Sequence, residues 1–261
     1  MVYLTLLNAQ QSWRLYERAL AHVYALVSHS LVRALGRPDP DVVVLPTSPS
    51  SLSPPAHTLE LGVVTEQDTR AESGQEEGDG RDSANVTALG GTFDHLHVGH
   101  KILLSMAAFI TSQRLIIGIT GAARWLSRSS TTADPITTDD GMLKNKAHRD
   151  EIEPLDDRLE SVRAFVKLIK PGLPCIDAVS ISDPYGPTAT DASCEALVVS
   201  SETRSGAEAV NKKRRENGLA PLHVCVVDVL AENKGGDDDE APKMSSTAIR
   251  EWLSTQHQPH R

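Results

Sequence analysis

Aromatic side chains make up only 4% of the 261 residues, and no apolar run approaches the length of ~18–20 residues that crosses a bilayer. A transmembrane segment is therefore not expected. Cysteine is scarce as well. Cys175, Cys194 and Cys225 are odd in number, widely spaced and without a CxxC, which argues against a disulfide frame or a zinc site. They read as buried thiols in a reducing, cytoplasmic compartment. Positive charge is short too, with 26 Lys plus Arg against 35 Asp plus Glu and a net charge of −9. With one short basic run at 212–215 and no aromatic platform for stacking bases, nucleic acid is not an expected partner. A GxxxxGK[ST] string is also missing, so no phosphate loop of that type is expected.

The acidic excess is concentrated. Residues 65–85 hold seven acids against two arginines, a local charge of −5, and residues 231–240 hold five acids against one lysine, a local charge of −4. Together they account for the whole imbalance, so the rest of the chain is neutral. Both stretches lack large apolar residues and are rich in Gly, Ser, Asp and Glu, the composition of solvated linkers. The first one divides the chain into a segment 1–64, an acidic linker 65–85, a domain 86–256 and a tail 257–261. In the segment 1–64, Leu15, Ala19, Val23, Leu26, Leu31 and Ala34 recur at helical spacing, and 41–46 reads as a short strand. This small helix–strand extension is too short for a core of its own and is expected to dock on the rest or to offer a partner surface. Its arginines, Arg14, Arg18 and Arg33, leave mitochondrial association open beside the cytoplasmic expectation.

From residue 86 onward short apolar strands alternate with amphipathic helices. Strands are expected at 86–89, 115–120, 176–182, 196–200 and 223–230, and helices at 99–112, 156–170, 203–217 and from 245. A long irregular connection is expected at 121–141. This order implies an α/β fold, a Rossmann-like doubly wound five-stranded parallel sheet, with ligands bound at the carboxyl ends of the strands. The most informative string lies at the first such end: Gly90-Gly91-Thr92-Phe93-Asp94-His95-Leu96-His97-Val98-Gly99-His100. Adjacent glycines allow a tight turn and close approach of a ligand to the backbone. His97 and His100, three apart, can project from one face of the first helical turn, where unpaired N–H groups suit an anion. No residue is assigned as a metal ligand.

This string resembles the GTFD…HxGH signature of the nucleotidyltransferase superfamily. Within it the chain resembles the archaeal and eukaryotic type of phosphopantetheine adenylyltransferase. Further matching residues are Asp183-Pro184-Tyr185-Gly186-Pro187, Val198-Val199-Ser200-Ser201-Glu202-Thr203, Gly206-Ala207, Val210-Asn211 with Arg214, Asn217-Gly218-Leu219, and Lys243-Met244-Ser245-Ser246-Thr247-Ala248-Ile249-Arg250. The resemblance spans 86–255 and leaves out the first 84 residues. It implies transfer of AMP from ATP to 4′-phosphopantetheine, giving dephospho-coenzyme A and pyrophosphate, with Mg²⁺ and by direct in-line attack of the acceptor phosphate. It implies catalytic roles for His97, His100 and a mobile lysine, Lys144 or Lys146. It also implies ATP contacts from Gly90, Gly91, Thr92, Phe93, Asp94, Gly99, Arg214, Ser245, Ser246 and Thr247, and contacts to the acceptor from Thr92, Lys144, Asp183 and Tyr185.

Two alternatives stand beside this reading. One is a cytidylyltransferase-like enzyme acting on another acceptor, although such enzymes carry an RTEGISTS-like string where this chain has KMSSTAIR. The other is a non-catalytic scaffold that gathers other enzymes of coenzyme A synthesis through the N-terminal extension. Without a phosphate-loop kinase motif, the arrangement expected is the monofunctional one.

Overall fold

Residues 115–120 are apolar almost without a break, and a strand can bury such a run only if both of its faces are covered. In the computed structural model that strand occupies the interior of a sheet. The structure describes residues 2–5, 16–17, 20–21, 23–24, 42–45, 58–59, 83–121, 141–228 and 245–256. The linker stretch 65–82, the connection 122–140, the acidic run 231–240, the tail 257–261 and the positions Leu15, Ala19, Leu26, Leu31 and Ala34 lie outside the described residues.

Three short strands, β1 (Val2–Thr5), β2 (Val42–Leu45) and β3 (Thr58–Leu59), form a parallel sheet in the order β2-β1-β3. Of these, the sequence pattern marks only β2. The four residues of β1 and two of β3 are too short to show alternation, and their pairing partners define them. The main sheet comprises β4 (Ala84–Gly91), β5 (Thr111–Thr120), β6 (Cys175–Ile181), β7 (Ala196–Ser200) and β8 (His223–Val227). All its pairings are parallel and its order is β6-β5-β4-β7-β8. The chain moves outward from β4 to β6, returns to the other side of β4, and moves outward again to β8. The switch therefore lies between β4 and β7, the place where such sheets bind ligands.

Helices α1 (Val98–Ile110), α2 (Leu155–Ile169), α3 (Arg204–Glu216) and α4 (Ser246–Gln256) accompany the sheet. Alternate strand residues feed two cores. Leu89, Leu115, Ile117, Ile119, Ala196, Val198, Cys225 and Val227 join α1 and α2 on one face. Ala88, Ile116, Leu197 and Val199 join α3 through Ala207 and Val210 on the other. Each fully buried Leu or Ile contributes roughly 1.5–3 kcal/mol through removal of apolar surface from water.

The expected elements shift at several ends. Helix α1 stops at Ile110 rather than 112 because two side chains cover its terminal carbonyls. Thr111 Oγ1 donates to Ala107 O at 2.6 Å, and Lys170 Nζ donates to Ala108 O at 2.7 Å and to Thr111 O. A cation at this end also suits the helix dipole. Cys175 opens β6 and is exposed, against the expectation of three buried thiols, while Cys194 and Cys225 are buried. In the N-terminal segment the described residues 16–17, 20–21 and 23–24 are helical. Their buried face is Tyr16, Leu20, Val23 and Tyr24. Val23 belongs to the stripe read from sequence, whose other members lie outside the described residues, and tyrosine rings supply much of the described apolar surface.

Candidate active site

The loop after β4 bends sharply. Phe93 and His95 have φ of +48° and +46°, and the third described non-glycine residue with positive φ is His148, at +50°. Such conformations cost of order 1–3 kcal/mol each and persist where the surroundings over-determine them. Here the surroundings are visible. Asp94, fully buried, accepts the Glu153 N–H on Oδ1 at 2.9 Å and faces the Arg250 guanidinium with Oδ2. The Glu153 carboxylate accepts the His95 N–H at 2.5 Å. Arg158 donates to the carbonyls of Thr92, Thr120 and Glu153 at 2.8–2.9 Å. The segment before α2 is thereby stitched to the β4 loop.

Two helix amino ends converge on this loop. At α1, His97 is the N-cap, and its Nδ1 accepts from Gly99 N at 3.1 Å. In the neutral ring this leaves Nε2 as the N–H donor. The His97 and His100 ring centroids lie 3.9 Å apart, with Phe93 5.3 Å from His100. At α4, Ser245 Oγ accepts from Ala248 N at 3.3 Å, and Ser246 Oγ donates to Asp94 O at 2.9 Å. Arg250 completes the link, with Nε to Ala147 O at 2.9 Å and Nη2 to Thr247 Oγ1 at 3.2 Å. One guanidinium thus joins the β4 loop, the start of α4 and the segment that follows Lys146.

Both imidazoles are held neutral. Burial, then the Lys101 charge, lowers His97 to about 4, against a smaller upward pull from Asp94. Burial, then His97 and Lys146, holds His100 well below the ordinary imidazole value. The Nδ1 of His100 is buried without a hydrogen-bond partner among the described residues. The result is a pair of neutral imidazoles beside two helix ends, a setting that favours an anion.

Comparison with known proteins bears on this geometry directly. The family model described as cytidylyltransferase-like matches residues 88–252, which include both helix ends and the loop between them. The chain belongs to the cytidylyltransferase-like family. The protein named phosphopantetheine adenylyltransferase from Saccharomyces cerevisiae is 47% identical over 187 residues, 70% of this chain and 54% of its own length. An uncharacterized protein from Schizosaccharomyces pombe is 40% identical over 171 residues, 65% of this chain and 48% of its own. The chain thus spans about half the length of these two relatives. Phosphopantetheine adenylyltransferase from Pyrococcus abyssi is 35% identical over 165 residues, 63% of this chain and 88% of its own length.

Within this cytidylyltransferase-like domain the expected site residues fall into two groups. Gly90, Gly91, Thr92, Phe93, Asp94, His97, Gly99, His100, Ser245, Ser246 and Thr247 gather at the two helix ends. A Cβ on Gly91 would meet the Phe93 ring at 3.2 Å, so glycine there lets that ring fold back under the loop. Lys144 and Lys146 are exposed on the turn that leads to Ala147, and Lys146 is the one whose charge acts on His100. Asp183 and Tyr185 stay on the turn after β6. Asp183 Oδ1 caps that turn by accepting from Tyr185 N and Gly186 N, both at 2.9 Å, and Tyr185 packs on the second core.

Arg214 departs from the expectation of an ATP contact. It is 1% exposed, and it donates to the carbonyls of Ala220, Thr188, Asp191 and Cys194 at 2.6–3.4 Å. Its place after Ala207 and Val210 on the buried stripe of α3 explains this. Arg158 likewise shares the buried stripe of α2 with Val162, Phe165, Val166 and Ile169. An arginine at a core position of a helix was the signal that could have found both. Glu153 and His95 carry no such signal, because they act through backbone groups.

Asp94, His95 and Glu153 form the one described cluster of three ligating side chains. Its donors are committed elsewhere. Asp94 faces Arg250 and the Glu153 N–H, His95 Nε2 meets Glu151 O at 2.8 Å, and Glu153 holds the His95 N–H. A guanidinium and an imidazole suit a hard cation poorly, so these residues do not fit Mg²⁺.

Proposed function

We propose that this chain transfers AMP from ATP to 4′-phosphopantetheine, giving dephospho-coenzyme A and pyrophosphate in coenzyme A biosynthesis. The observation that carries the reading is the convergence of the His97/His100 end of α1 and the Ser245–Thr247 end of α4 on one loop. The names of the Saccharomyces and Pyrococcus relatives supply the acceptor. Mg²⁺ enters in this reading with the triphosphate, as part of the substrate. The working domain is 86–256, joined to the extension through the acidic linker, and the setting is cytoplasmic.

The acceptor phosphate is already ionised at neutral pH and needs no general base, so catalysis rests on positioning and on neutralising charge. The triphosphate lies across the two helix ends. His97 and His100 donate N–H groups to it, and its negative charge draws protons onto the rings. The hydroxyls and N–H groups at Ser245, Ser246 and Thr247 hold its outer phosphates, while Gly90, Gly91 and Gly99 let the nucleotide lie close to the backbone. Lys146, rather than Lys144, closes over the reacting phosphates, because its neighbour Ala147 is anchored to Arg250 and its charge already reaches His100. Thr92 lies beside the reacting phosphates, and Asp183 and Tyr185 face the acceptor from the turn after β6.

The test is pyrophosphate release from purified protein given 4′-phosphopantetheine with ATP or with CTP. Release with ATP is expected. Release with CTP alone favours a cytidylyltransferase, and release with neither overturns the assignment.

A further inference from the structure

On the face of the main sheet that carries α1 and α2, those helices pack over β4, β5, β6 and β7. Strand β8 points Cys225 and Val227 to this same face, and both are buried, at 6% and 0% exposure. The cluster that holds them also contains Tyr16, Leu20, Val23 and Tyr24 from the N-terminal segment. Their spacing, i, i+4, i+7 and i+8, is one face of a helix. Tyr16 stacks on Phe109 of α1 with ring centroids 4.7 Å apart.

The same turn of helix carries a buried carboxylate. Glu17 is 5% exposed and accepts the Asp228 N–H on Oε1 at 2.7 Å, at the carboxyl end of β8. Asp228 in turn accepts the Ser201 hydroxyl on Oδ1 at 2.7 Å. Ser201 begins the 3₁₀ turn Ser201–Thr203 after β7, which a reciprocal capping box between Ser200 and Thr203 holds shut. That turn flanks the β4/β7 switch point. A chain of hydrogen bonds therefore runs from the N-terminal helix to the turn at the carboxyl end of β7, the strand beside β4 at the switch point.

We propose that the N-terminal helical segment is the third helix of the α1/α2 face, and that Glu17 is a positioning residue for the site through Asp228 and Ser201. The extension is then part of the folded unit rather than a handle for other enzymes. Only the kinetic readout of this proposal rests on the adenylyl-transfer reading.

Three full-length variants test it: Leu20→Ala, Glu17→Ala and Glu17→Gln. Leu20→Ala is expected to lower the unfolding midpoint by about 6–12 °C, as a cavity in a shared core does. Glu17→Ala is expected to speed hydrogen exchange about tenfold at the Asp228 amide and to loosen 201–203. It should also raise a substrate KM about threefold or more with little change in kcat. Glu17→Gln, whose amide oxygen can still accept from Asp228, should restore both. Ser201→Ala breaks the far end of the chain at an exposed residue and reads the same loop if Glu17→Ala does not fold. An unchanged midpoint in Leu20→Ala overturns the shared core. Unchanged exchange and KM on breaking the chain overturn the positioning role. If wild type transfers no AMP while the exchange and midpoint respond as stated, the adenylyl-transfer reading fails and the docking stands.

Discussion

At the scale of single residues, burial holds the His97 and His100 imidazoles neutral. The depressed His97 value of about 4, against about 6.5 for an unfolded histidine, makes a prediction with a fixed sign. Above pH 6.5 both states carry a neutral ring and the residue costs nothing. As pH falls through 6.5 toward 4, the unfolded chain takes up a proton that the folded chain refuses, so stability is lost over that window. Thermal unfolding followed from pH 7.5 to 4.5 should show a steeper decline in wild type than in His97→Asn. Asparagine keeps a cap for α1 without titrating. Equal slopes would place the titration elsewhere. In the proposed chemistry the His100 ring donates at developing charge, so His100→Ala should cut turnover by about 10²–10³-fold with the unfolding midpoint nearly kept. A variant within a few fold of wild type in steady-state rate would remove His100 from the chemistry.

Among the elements, buried arginines set the geometry. Arg250 and Asp94, at 2% and 0% side-chain exposure, join the amino end of α4 to the loop before α1. Breaking one partner strands the other charge in the core, so Arg250→Met should cost about 3–5 kcal/mol. The double variant Arg250→Met with Asp94→Asn should recover part of that loss in urea titrations, whereas simple additivity would deny the pairing. Arg214→Met should lower the unfolding midpoint and leave the KM for ATP within twofold. A large rise in that KM would bring the guanidinium back to the nucleotide. These arginines also show where sequence reading stopped. Strands β5 and β7 and helix α2 were legible because apolar period and length agree, and the loop after β4 was legible because its string is specific. The resemblance gives Arg214 to the nucleotide, whereas counting it on the Ala207–Val210 stripe of α3 puts it on the buried face. The work of Glu153 went unseen because backbone partners leave no mark in the sequence.

For the whole molecule, the net charge of −9 belongs to two acidic stretches whose charged residues, within 66–82 and 232–240, lie outside the described residues. The described domain can therefore present helix ends, histidines and Lys146 to a polyanion without a global excess of positive charge. The N-terminal segment was read from sequence as a docked appendage. Its described residues do pack on the rest, through Tyr16, Tyr24 and Glu17 at the core and the end of β8, polar and aromatic positions that aliphatic periodicity alone does not mark. Among the described residues no helix is long and apolar enough to cross a membrane. The proposed adenylation of a pantetheine phosphate at the α1 and α4 ends has one direct test. Mass analysis of 4′-phosphopantetheine after incubation with the protein, ATP and Mg²⁺ should find the acceptor carrying one added AMP, with one pyrophosphate released per product and no such adduct from CTP. An acceptor left unmodified by ATP, or modified by CTP in its place, would contradict it.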